Sequence, residues 1–91
     1  MDKETKEKFV QVSRLIEERA MCVEIVCWIW HLVSNLVKAY QHFEESDTPE
    51  SEALARWEMN DAREDLSHYL HKQGFTPMEI LEFERFARMG R

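Results

Sequence analysis

Glycine and proline are scarce, two of each among 91 residues, so an architecture of many short elements joined by tight turns is excluded and long uninterrupted elements are expected. Cysteine is equally rare. Two cysteines cannot build the disulfide framework of a small secreted domain. Cys22 and Cys27, about 140° apart on one helix, are poorly placed to bridge each other. They read as buried free thiols in a reducing compartment. A basic excess is absent too. Twelve Lys and Arg face eighteen Asp and Glu, a formal net charge of -6, which disfavours a phosphate-binding surface because nonspecific nucleic-acid affinity requires clustered cations. The opening MDKETKEKF lacks the apolar stretch of a secretory signal, and a cytoplasmic location is expected. No serine, cysteine or lysine stands in a nucleophile motif, so no enzymatic activity and no cofactor are expected.

What is present is helical periodicity in three segments: about 3–43, about 50–73 and about 77–89. Thr48 or Ser51 with Pro49 restarts the chain after the first segment, and Gly74 closes the second. Thr76, Pro77 and Glu79 then have the spacing of a capping box at the start of the third. The sequence therefore predicts one all-α domain over 1–91, with a very long first helix, a returning second helix and a short third one. At ~1.5 Å per residue the first helix would be roughly 60 Å long.

That first segment is the most informative. Phe9, Ile16, Val23, Trp30 and Val37 recur every seventh residue. Val12, Val26, Val33 and Tyr40 hold the companion position, interrupted by Arg19, and Leu15, Cys22, Ile29, Leu36 and Phe43 flank the seam. Met21, Ile25, Trp28 and Leu32 add a second apolar set on another side. Only the line Glu17, Glu24, His31 and Lys38 is left polar, so the central turns are apolar around about 260°. The second segment offers one stripe (Ala55, Met59, Ala62, Leu66, Tyr69, Leu70) and the third another (Ile80, Phe83, Phe86, Ala87). Two narrow stripes cannot enclose such a helix along its length. The expectation is a homodimeric bundle with Ile16, Val23, Val26, Ile29, Trp30, Val33 and Val37 at the self-interface. A transmembrane reading of 20–37 is opposed by Glu24, His31, Ser34 and Asn35 and by charged flanks, so membrane is not an expected partner.

Four chemical readings attach to particular residues. Glu64, His68 and His71 share one face of the second helix, as metal ligands would, but it is the face expected to be solvated, and no metal is assigned. Glu58 and Asp61 have a Glu-x-x-Asp spacing that resembles half of the Mg²⁺ site in all-α nucleotide pyrophosphohydrolases of the MazG type. The resemblance implies a carboxylate-metal nucleotide hydrolase, yet Glu17 and Glu18 on the first helix do not supply the matching half. Leu70, Gly74, Phe75, Ile80 and Phe83 are spaced as in a helix-turn-helix regulator, but its second helix would present Met78, Glu79, Glu82, Arg85 and Met89 outward, a poor surface for phosphates or bases. Trp57, finally, stands on the polar face of the second helix near Glu64 and His68. A tryptophan there is either an exposed anchor for another chain or, if the helix start is rotated, packed with Leu54 against the end of the first helix or a second copy.

These readings converge on a small non-enzymatic module for protein–protein interaction, an adaptor, regulator or inhibitor of a larger assembly, similar in style to accessory proteins of phages and mobile elements. Its contact residues would be Trp57, Glu64, His68, Met78 and Glu82. Residues 41–91 carry six basic and twelve acidic side chains, against six of each in 1–40, so a partner with a basic surface is expected.

Overall fold

The computed structural model describes residues 2–89 and is all-helical there; Met1, Gly90 and Arg91, which the expected single domain includes, lie outside the described residues. Four helices follow one another: α1 (Lys3–Arg19), α2 (Val23–Glu45), α3 (Pro49–Lys72) and α4 (Pro77–Met89). The sequence predicts three. The expected 60 Å first helix is broken at Ala20–Cys22, and the longest dimension of the molecule is 42 Å. Ala20 and Cys22 both adopt extended backbone conformations, and α1 ends with the Ala20 amide donating to the Ile16 carbonyl at 2.7 Å.

No glycine or proline imposes this break. Its cause is tertiary. A straight helix would carry Val12 and Ile16 away from the rest of the chain, whereas bending lays α1 along α4 and buries both. Full burial of a valine or isoleucine side chain contributes roughly 1.5–3 kcal/mol, enough to offset the few helical hydrogen bonds lost at the bend. The single long first helix expected from the sequence is thus two helices, α1 and α2. Ile16, Ile29 and Val33, expected at a self-interface, are buried within one chain. Val26, Trp30 and Val37 pack partly against the same core, and Val23, beside the bend, is 75% exposed.

α2 and α3 form an antiparallel pair with the largest interface in the molecule, and α4 packs against both α2 and α1. The core is made by the expected faces: Leu66 and Leu70 from α3, Ile80, Phe83, Phe86 and Ala87 from α4, and Ile29, Val33, Leu36 and Tyr40 from α2. Phe9 stacks on Trp30 at 5.5 Å between ring centroids, and both rings touch Phe86, which ties α1, α2 and α4 together. Two ion pairs staple α1 to α4, Lys8 with Glu82 and Arg19 with Glu79.

Capping explains the element boundaries. The Asp2 carboxylate accepts from the Thr5 amide at 2.8 Å, and that bond holds its pKa below the usual aspartate value. Thr48 and Ser51 cap α3 reciprocally, with Pro49 in the first turn. Gly74 takes φ +94°, a conformation costly for any residue with a Cβ, and the Phe75 amide returns to the Leu70 carbonyl at 3.1 Å. The Thr76 amide donates to Glu79 Oε1 at 2.8 Å, and the Glu79 amide donates to Thr76 Oγ1 at 3.2 Å, the reciprocal bonds expected of those residues.

Both cysteines are exposed rather than buried. Cys22 sits in the bend, where its thiol donates to Glu24 Oε2 at 3.5 Å, and Cys27 lies exposed on α2. Glu17, Glu24, His31 and Lys38 are exposed as their shared line requires. No helix among the described residues is long and apolar enough to cross a membrane.

Candidate protein-binding face

α3 gives its inner stripe to α2 and α4 and turns the opposite stripe outward. Ala55, Leu66 and Leu70 are buried, so positions about 180° away around the helix, Trp57, Asp61, Glu64 and His68, must face solvent. The structure places them there. Trp57 is 63% exposed, far more than a tryptophan in a core.

Two shallow clefts meet at the Trp57 side chain. One, of about 220 Å³, lies between α2 and α3 and is lined on the α3 side by Trp57, Glu58, Asp61, Ala62 and Asp65, with Leu32, Asn35, Lys38, Ala39 and His42 opposite. The other, of about 460 Å³, runs along the start of α3 past Pro49, Ala53 and Asn60. His42 Nδ1 lies 3.2 Å from Glu58 Oε2 and ties the two helices at this point, while Arg56 pairs with Glu52 at 2.9 Å and covers the Phe43 ring. Asp61, Glu64 and Asp65, in contrast, have no ion-pair or hydrogen-bond partner among the described residues. The face therefore combines an apolar ring with uncompensated carboxylates.

Glu64 and His68 also line a larger cleft, about 710 Å³, between α3 and α4, where they meet His71, Leu81 and Glu84 above Ile80. Despite this company, no three acidic, histidine or cysteine side chains form a metal-binding group among the described residues. Glu17 and Glu18 stand on α1 and Glu58 and Asp61 on α3, and these two pairs are not gathered into such a group either.

The remaining contact candidates separate. Met78, at the start of α4, is 80% exposed but lines none of the three clefts described above. Glu82 is paired with both Lys8 and Arg85 and so serves the α1–α4 interface. Glu79 is likewise engaged, by the Thr76 amide and then by Arg19, and these contacts hold its pKa below the ordinary glutamate value. Since α1 packs on α4, the outward glutamates of a helix-turn-helix reading are covered by α1 rather than presented to a ligand.

Sequence reasoning missed Trp28. Its spacing assigns it to the apolar girdle of helix one, yet it is 48% exposed, stacked on His31 at 5.1 Å and edge-on to Tyr69 of α3 at 6.4 Å. The signal was present in its helical neighbours Glu24 and His31, which mark that side of α2 as wet. No protein family, curated protein sequence or solved structure matches the chain.

Proposed function

We propose that this protein is a non-enzymatic interaction module that binds a basic surface of another protein through the outer face of α3, as an adaptor, regulator or inhibitor of a larger assembly. The observation that carries the reading is Trp57, a large aromatic side chain 63% exposed beside Asp61, Glu64 and Asp65, none of which has an ion-pair partner among the described residues. Tryptophan anchors dominate interface energetics, and surrounding carboxylates raise the rate of encounter with a cationic partner. Met78 belongs at most to the rim of such a contact.

A photo-crosslinking amino acid at Asn60, on the same face, tests this. We expect a discrete covalent adduct with one protein, lost on Trp57→Ala and absent when the crosslinker sits at Arg14 on the outer side of α1. Equal adducts from both positions would overturn the assignment of the face.

Self-association is the second reading, supported by the bend itself. Ala20 and Met21 are strong helix formers, so straightening 20–22 into one helix costs little locally. α1 would then reach the α4 of a second copy and form there the contacts it makes within one chain. The exposed Val23 beside the bend fits this reading, because it would join the seam of a straight helix.

A further inference from the structure

The Trp28 end of the α2–α3 face forms a further cleft, about 500 Å³, which shares Leu32 and Asp65 with the cleft at Trp57 but adds two aromatic walls of its own. Its walls are Trp28, Leu32 and Tyr69, and its charged lining is Glu64, Asp65 and Lys72, with His68 alongside. From this juxtaposition we propose that the cleft binds a quaternary ammonium group, such as choline or a trimethylated lysine side chain.

Three features support a soft cation rather than a neutral apolar ligand. First, the Trp28 and Tyr69 ring planes stand at 70° with centroids 6.4 Å apart, so the two rings wall a corner instead of stacking flat on each other. Cations are attracted to aromatic faces within about 6 Å of the ring centre, and tryptophan is the strongest of these surfaces. Second, Glu64 and Asp65 have no partner among the described residues, and a methylated ammonium can balance their charge without demanding hydrogen bonds that the apolar walls cannot supply. Third, His31 stacks on Trp28 at 28° between planes and 5.1 Å between centroids, which braces the indole from its own helix while leaving nearly half of the residue open to solvent. Lys72 opposes binding. Two carboxylates against one ammonium still leave the lining net negative, and removing Lys72 should improve affinity.

This site does not depend on Trp57, and each can fail alone. The test is an NMR titration of the full chain with tetramethylammonium chloride, choline chloride and trimethyllysine amide. Parallel titrations use 3,3-dimethylbutan-1-ol, the neutral isostere of choline, and sodium chloride at matched ionic strength. We expect saturable shifts of the Trp28 indole N–H and the Tyr69 ring with the three cations and none with the controls. Trp28→Ala should weaken binding roughly tenfold, since cation–π contacts at partly desolvated sites are of that order. Trp28→Phe should retain part of it, Lys72→Gln should strengthen it, and Trp57→Ala should leave it unchanged. Asp65→Asn, at an exposed position, gives a second weakened variant that does not touch the aromatic packing. Whichever of choline and trimethyllysine amide binds tighter identifies the source of the cation. Equal response to the neutral isostere, a response matched by sodium chloride, or no response at Trp28 would each overturn the proposal.

Discussion

The α1–α4 side of the molecule and the outer face of α3 have similar raw materials, aromatic rings and acidic side chains, and use them in opposite ways. On the first side Phe9, Trp30 and Phe86 pack on one another, and Glu79 and Glu82 are each claimed by a cation of α1. On the second, Trp57 projects into water and Asp61, Glu64 and Asp65 make no ion pair within the described chain. A carboxylate or an aromatic ring is thus not a functional signal in itself. The signal is that its partner is missing from the chain.

Substitutions should separate the two regions sharply. Phe83→Ala, which empties a fully buried site against Phe75, should cost about 3–5 kcal/mol in chemical denaturation and unfold much of the protein. Ile16→Ala should cost about 2–4 kcal/mol, and hydrogen exchange should show the loss concentrated in α1 if that helix docks as a unit.

The Arg19–Glu79 staple sharpens the comparison through pH. Glu79 has a folded pKa below its ordinary value of 4.5, so its contribution is fully present above that value and is lost as pH falls through the folded pKa. Glu79→Gln should therefore flatten part of the acid limb of the stability profile while changing neutral stability by no more than about 1 kcal/mol, as expected for a screened pair. Asp2, shifted in the same direction, leaves some acid sensitivity in the variant. Smallest of all, Trp57→Ala should move stability by less than about 0.5 kcal/mol, because its side chain is mostly in water already. A large loss there would make Trp57 a packing residue and erase the contrast between the regions.

Much of this fold was legible from residue spacing. The capping box at Thr76 and Glu79, the Gly74 turn and the inner stripes of α3 and α4 stand where period and turn chemistry put them. The bend at Ala20–Cys22 was not, since Ala20 and Met21 favour helix and only tertiary packing opposes it. One trace existed in Arg19, the residue that interrupts the apolar seam, which now reaches across to Glu79 and lies over the Phe75 ring at 5.6 Å. The angle of Trp57 on α3 allowed either exposure or packing beside Leu54, and the exposure of both side chains came only from the structure. The role of Glu82 was not legible either, because its partner Lys8 is 74 residues away in sequence and meets it only once α1 has folded back.

The central claim is that one chain covers its own apolar seam by bending, and an isotope-filtered nuclear Overhauser experiment on an equal mixture of labelled and unlabelled protein tests it most directly. The account predicts that contacts between the Phe9 ring and the rings of Trp30 and Phe86 arise only within one molecule. The same contacts appearing between labelled and unlabelled copies, with helical amide contacts running unbroken from Arg19 to Val23, would contradict it and establish a straight first helix exchanged between two chains.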